Sequence, residues 1–341
     1  MRLAGCCFGS RGVQVVRAFS IAAAAILAAA ATGAAAQTSA PYPVKPVRFL
    51  VPYVAGGGTD TTARALAQKL SEAWGRQVIV DNRPGASGAI AIDLTAKAAP
   101  DGYTICIVTA SHAVDAAVNP GLPYDFARDL SAVSQVSSIS YLIYDLPSFP
   151  VRSVKELIAY ARSSPGKVNY AAGGSIQYLG WELLAHLTGV KLVQVPYKGG
   201  AAVVTAVLSG EVHLGMQSLI TVRPHLATGR LRGIAVTTLK RSPVLPELPT
   251  VAESGVPGYE VDQWYGVVAP ARVPQAVIAT MHQGIAAALR SPDVVQRMSA
   301  DGSTAVGSSP EKFGAYLKSE VARWRKLVRE AGLVLNTGAS R

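Results

Sequence analysis

The chain predicts an α/β fold, on two recurring observations. Short apolar runs of strand length alternate with segments whose apolar residues recur at helical spacing, and the joints between them are repeatedly rich in glycine. Strands and helices alternating at this rhythm imply parallel sheets with helices on both faces.

Val47-Arg48-Phe49-Leu50-Val51 reads as a buried strand, followed by Gly56-Gly57-Gly58-Thr59-Asp60 and a helix carrying Ala63, Leu66, Ala67 and Leu70 on one face. A second strand covers residues 77–80, and the turn from Asn82 through Gly85 to Gly88 opens a helix reaching about residue 98. Pro100-Asp101-Gly102 makes a turn before a strand over 103–109. A new unit starts at Ser153-Val154-Lys155-Glu156, where serine and glutamate can satisfy each other's free backbone amides at a helix start. Its helix stops before Pro165-Gly166. Strand 168–172, the turn Gly173-Gly174-Ser175, helix 178–187, strand 192–196, the turn Lys198-Gly199-Gly200 and helix 202–208 follow, then strands at 212–216 and 232–237. Pro243, Pro246, Pro249 and Pro257 interrupt the rhythm with a long ordered loop. A strand over 263–268 returns to the first unit, and Ser309, Pro310 and Gly332 bound a last helix over 311–331.

The N-terminus carries Arg2, Arg11 and Arg17 ahead of an alanine-rich apolar run over 18–31, with Ala34-Ala35-Ala36 beyond it. This is the pattern of a secretory signal peptide spanning residues 1–36, cut before Gln37, and the run is short for a spanning helix. Its removal leaves 305 of 341 residues, a length for two domains. It also takes 32 Lys+Arg against 21 Asp+Glu to 29 against 21, net +8. The basic residues are scattered, dense only at 323–329 on a helical pattern, so nucleic acid is not an expected partner; the charge favours small anions instead. Cys6 and Cys7 leave with the leader, and Cys106 remains inside Thr104-Ile105-Cys106-Ile107-Val108, the setting of a core thiol.

Glycine turns at 56–60, 85–88, 173–175 and 198–200 each precede a helix. Such a turn points backbone N–H groups into a crevice, where the helix dipole adds partial positive charge, so each can hold an anion without an arginine. Each can equally be a tight turn and nothing more. The first lacks the third glycine of a dinucleotide fingerprint, and no glycine run leads to a Walker lysine. His112, His186, His213, His225 and His282 are dispersed without metal-ligand spacing, and neither Ser87 nor Ser175 sits in a G-x-S-x-G elbow. No metal, cofactor or catalytic residue is expected. A hydrolase-type α/β enzyme using Ser87 or Ser175 stays open as the alternative, because triads assemble in space.

The segments Pro52-Tyr53-Val54-Ala55-Gly56-Gly57-Gly58-Thr59-Asp60, Asp81-Asn82-Arg83-Pro84-Gly85-Ala86-Ser87-Gly88, Pro100-Asp101-Gly102-Tyr103-Thr104, Val195-Pro196-Tyr197-Lys198-Gly199-Gly200, Leu248-Pro249-Thr250-Val251-Ala252-Glu253-Ser254-Gly255 and Trp264-Tyr265-Gly266 resemble, in order, the Bug family of periplasmic receptors for tripartite tricarboxylate transporters. The resemblance covers residues 42–335. It implies a two-lobed, Venus-flytrap periplasmic-binding-protein fold, type II-like with two crossovers: lobe one over 37–138 and 261–341, lobe two over 139–260. It implies a non-enzymatic, monomeric receptor for a small carboxylate, with the membrane subunits of a transporter as partners where one exists. By position it places Gly56, Gly57, Gly58, Thr59 and Asp60 at the carboxylate, Asn82 and Gly85 at the border, and Gly173, Gly174, Ser175, Lys198, Gly199 and Gln217 on the second lobe. Three departures stand out: the loop around Gly173 is about two residues short with Tyr178 where histidine is common, Gln217 replaces a frequent aspartate, and Ala55 a frequent proline.

Overall fold

The structure, a computed structural model, describes residue 5 and residues 42–333 except 198, 199 and 301. The expected leader, apart from residue 5, and Lys198 and Gly199 lie outside the described residues.

The first part of the chain runs β1 (Val47–Val51), α1 (Gly58–Trp74), β2 (Val78–Asn82), a short 3-10 turn (Ala86–Gly88), α2 (Ala89–Ala96), β3 (Thr104–Thr109) and α3 (Ala110–Val118). The 16-residue β4 (Leu130–Asp145) comes next, then α4 (Val154–Ser163), β5 (Asn169–Ala172), α5 (Ser175–Thr188), β6 (Val193–Pro196) and α6 (Gly200–Leu208). The remainder is β7 (Leu214–Ser218), α7 (Leu219–Ala227), β8 (Arg232–Val236), β9 (Asp262–Pro270), α8 (Gln275–Ala288), α9 (Pro292–Ala300), β10 (Ser303–Ala305) and α10 (Pro310–Glu330).

The α/β class holds, but the all-parallel expectation does not. The strands order β2-β1-β3-β9-β4-β7-β5-β6, with β8 and β10 also on β4. Pairs β1–β2, β1–β3, β5–β6 and β5–β7 are parallel, whereas every pair involving β4 or β9 is antiparallel. The reason is β4, which the sequence reading passes over. Residues 130–140 pair with β9, Tyr141–Asp145 pair with β7, and Leu142–Asp145 pair on their other side with β8. Its register against β9 shifts between Ala132 and Ser134 and again between Gln135 and Ser137, and these irregularities break the simple alternation that marks a strand. Helices α3, α7, α8 and α9 are further additions; Pro224 inside α7 is a local signal against a helix there.

Alternation along β9 sorts its side chains by face. Trp264 is fully buried, with its ring edge-on to Phe313 and Tyr316 of α10 and its indole N–H donated to Glu320. Gly266, two residues on, leaves the space that Phe313 fills, since a Cβ there would collide with the Phe313 ring. Tyr265, between them, lies on the opposite face. Cys106 is fully buried in β3, as the sequence suggested, and burial pushes its thiol up to about 12. Arg232 closes the other end of β4: it pairs with the fully buried Asp145 at 2.7 Å and donates to the carbonyls of Leu146, Phe149 and Val151.

Asp262 opens β9 and ties it to β4, accepting from the Ser138 hydroxyl at 2.7 Å and the Ile139 amide at 3.2 Å. Burial outweighs these bonds and pushes the carboxyl from 3.8 up to about 7. A raised folded pKa means that the native state holds a proton the unfolded chain has lost, so this group stabilises most below pH 4 and progressively less as pH rises to 7. On acidification from pH 7 to 5, wild type is therefore expected to gain stability over Asp262→Asn by up to about 1.4 kcal/mol per pH unit. Denaturant titrations of both proteins across that range check it; parallel pH profiles would contradict the assignment.

Candidate functional site

The turn after β1 is built around one acid. Asp60, 2% exposed, accepts the Gly56 amide at 2.9 Å, the Arg64 guanidinium at 2.9 Å and the Asn82 side-chain amide at 2.9 Å. Asn82 also donates to the Tyr53 carbonyl, so β1, β2 and α1 meet on this carboxylate. Burial acts to raise its pKa, but the Arg64, Gly56 and Asn82 bonds prevail and hold it down to about 2. The negative charge is thus fully engaged by the protein's own donors.

Gly57 caps α1 through its backbone alone, its carbonyl accepting from Thr61 N–H. The first amides of a helix have no intrahelical acceptor, so this glycine-flanked end is free to present N–H groups and the positive pole of a 17-residue helix. Glycine is required at two places here. Gly56 has φ +91°, and a Cβ at Gly58 would stand 2.9 Å from the Tyr265 hydroxyl.

A cleft of about 520 Å³ opens on this turn. Gly56, Gly58, Thr61 and Thr62 line it from the α1 side; Ile139 and Tyr141 come from β4 and Gln263 and Tyr265 from β9. Gln217, Ser218 and Thr221 reach it from the β7–α7 junction, and Arg297 and Ser303 from α9 and β10. Among the described lining residues there is no acid, and Arg297 is the one that is charged. Gln217 is 4% exposed; its Nε2 has no partner among the described residues, while its Oε1 lies 2.7 Å from where a Gly200 Cβ would be.

Of the residues expected at the site, Gly56, Gly58 and Gln217 line this cleft. Thr59 and Asp60 are buried behind it, Gly57 caps the helix, and Asn82 holds the loop through Asp60. Gly85 has φ +124° and packs against Ile90, away from the lining residues. Gly173 and Gly174 lead into α5, and Ser175 donates to Asp115 of α3 at 3.0 Å; none of the three lines the cleft. Burial pushes Asp115 up to about 6.

The neighbouring histidine does not complete a triad with either candidate serine. His112 is buried, takes the Thr109 amide on Nδ1, stacks on Tyr53 and meets its hydroxyl with Nε2 at 3.2 Å. Burial holds it neutral, with its pKa lowered to about 3. Among the described residues no serine hydroxyl at 87 or 175 bonds to it, and no cluster of three His, Cys, Asp or Glu is placed to hold a metal.

Tyr141, Gln263, Thr61, Thr62, Ser218, Thr221, Arg297 and Ser303 are lining residues the sequence reading does not name. Tyr265 it names only within the Trp264-Tyr265-Gly266 motif, where strand alternation, with Trp264 and Gly266 facing the core, could have assigned it to the cleft.

Residues 62–333 match the family described as tripartite tricarboxylate transporter family receptor. Protein BugT of Bordetella pertussis is 36% identical over 298 residues, covering 86% of this chain and 91% of its own. The solved structure of R. palustris Rpa4515 with adipate is similar at 39% identity and a TM-score of 0.75, over 85% of this chain and 98% of that one. That of the periplasmic binding protein BugD is similar at 32% and 0.72, over 85% and 99%.

The Asp60 knot predicts a stability effect independent of any ligand. Asp60→Ala strands the Gly56 amide and the Asn82 carboxamide, and is expected to lower unfolding free energy by about 1–3 kcal/mol. Urea denaturation at pH 7 measures it. Because the folded pKa of Asp60 is depressed, the difference from wild type should persist above about pH 4 and shrink as pH falls toward 2.

Proposed function

Because the chain belongs to the tripartite tricarboxylate transporter receptor family, we propose that it is a periplasmic solute receptor that captures a small carboxylate in the cleft at the start of α1. The observation that carries this reading is the electrostatic design of that cleft: helix amides and glycine backbone on one side, an adjacent acid already neutralised by internal donors, and no acid among the described lining residues. An anion gains from the helix pole there and meets no free negative charge among the described lining residues. The relative solved with adipate supports the ligand class.

The receptor works as two lobes, 37–138 with 261–341 and 139–260, which close on the ligand. In support, both boundaries fall where β4 and β9 run side by side, at Ser138–Ile139 and next to Asp262. Gly173, Gly174, Ser175, Lys198 and Gly199 belong to the face that closes. The leader over 1–36 directs export to the periplasm, and among the described residues no helix is long and apolar enough to cross a membrane. The protein acts as a monomer, without catalysis, and delivers its ligand to the membrane subunits of a transporter where one is present.

Protein unfolded and refolded to remove carried-over ligand, then screened by thermal shift against organic acids, amino acids and aromatic carboxylates, is expected to gain several degrees in melting temperature with a carboxylate. Gly58→Val, which drives a side chain toward Tyr265 and the helix amides, is expected to weaken that ligand at least a hundredfold by calorimetry while the protein still unfolds cooperatively. Undiminished binding by this variant, or hydrolysis of model esters by wild type, would overturn the reading.

A further inference from the structure

We infer that Asp115 and Ser175 form an acid-sensitive clasp between the two lobes, which holds the closing face more firmly as pH falls and so ties release of a bound molecule to acidity. The inference rests on the two-lobed reading above and names a contact that regulates it.

The two residues stand on helices of different strand sets. α3 follows β3, in the first parallel set, and α5 follows β5, in the second. In the sheet these sets are joined through β9 and β4. Away from that pair α3 and α5 pack on each other, and the Ser175 hydroxyl donates across the junction to Asp115 Oδ1 at 3.0 Å. Ser175 is the first residue of a 14-residue helix whose cap, Gly174, brings no side-chain acceptor, so the Asp115 carboxylate stands beside the positive pole. The glycine turn that the sequence offers to a ligand anion is thus engaged by an acid of the protein itself. This accounts for the absence of Gly173, Gly174 and Ser175 from the cleft lining.

Asp115 is 8% exposed, and burial outweighs the Ser175 bond, raising its carboxyl from 3.8 to about 6. Opening the lobes returns the group to water, where it ionises more readily. The closed arrangement therefore binds a proton that the open one releases, and acid favours closure. The groups around it do not share this behaviour. His112, one turn earlier on α3, is held neutral with its pKa lowered to about 3, and burial raises Tyr53, Tyr124, Tyr178 and the Cys106 thiol above their ordinary values. They keep one protonation state between pH 5 and 7. The charged groups on the elements packed nearby have partners of their own: Asp93 of α2 with Lys97, Glu182 of α5 with the Tyr170 hydroxyl, and Arg325 of α10 with the Ala116 carbonyl.

Stopped-flow release of a bound acid decides it, using the compound that shifts the melting temperature most in the screen above, with adipate tried first. From pH 7 to pH 5 wild-type release is expected to slow about tenfold more than release from Asp115→Asn, a comparison in which protonation of the acid itself cancels. At pH 7 Ser175→Ala is expected to quicken release about tenfold, the loss of one bond to a charged group, and to add nothing in an Asp115→Ala background. Equal pH dependence of wild type and Asp115→Asn overturns the clasp and leaves the receptor standing. So does a Ser175→Ala effect that persists without Asp115, which would place the serine on the bound molecule instead. If no acid of the screen binds wild type, or if scattering shows no compaction when one does, the two-lobed reading fails and this inference with it.

Discussion

The pairing of β4 with β9 is the constraint on which the rest of the molecule depends. Two long strands lie antiparallel, and what lies beyond each of them differs: β3 and the first parallel set on one side, β7 and the second parallel set on the other. Because strand side chains alternate, one face of this pair packs on α10 through Trp264 and Phe313 while the other supplies Tyr141, Gln263 and Tyr265 to the cleft. The Tyr141 hydroxyl donates to the Gln263 side chain at 2.8 Å, so the cleft surface of the two strands is itself cross-linked. Gly56 and Gly58 of the turn after β1 and Gln217 of β7 line one cleft because this pair sets the two parallel sets side by side.

An acid at the heart of a turn proposed to hold an anion looks contradictory until its partners are counted. Asp60 takes three donors, one of them cationic, and its depressed pKa is the measure of how well they satisfy it. The Gly56 amide is consumed in the process, which leaves the amides that follow Gly57 as those able to face a ligand. Asp60 therefore shapes the turn, and in the proposed function the attraction for an anion comes from the backbone. Charge-assisted bonds of this kind are stronger than neutral ones, which suits a loop that must hold its form with and without a guest.

Much of the fold was legible because its signals are local. The glycine runs at 56–58 and 173–174, the capping residues Ser153 and Ser309, and helical periodicity over 63–70 each act within a few residues, and the elements form where those signals lie. β4 was not legible, since its serines at 131, 134, 137, 138 and 140 and its two register shifts make sense only against β9, more than a hundred residues away. The site divides in the same way. Gly56, Gly58 and Gln217 could be named from motifs, whereas Arg297 and Tyr141 reach the cleft through tertiary packing and carry no local mark. Asn82 was placed at the border on resemblance alone, and its hydrogen bond to Asp60 supplies the physical reason for an asparagine there.

The single thiol has a practical consequence. Cys106 is the one free cysteine among the described residues, fully buried in β3, with its Sγ against the Ile107 carbonyl. Reagents that alkylate cysteine attack the thiolate, and a thiol that is both sealed from solvent and pushed up to about 12 offers almost none of it in the folded state. Labelling of Cys106 must therefore wait for β3 to be uncovered, which makes its rate a clock for opening of the first parallel set. The strands on either side, β1 and β9, belong respectively to the turn that holds Asp60 and to the pair that floors the cleft, so a guest bound there should slow that clock.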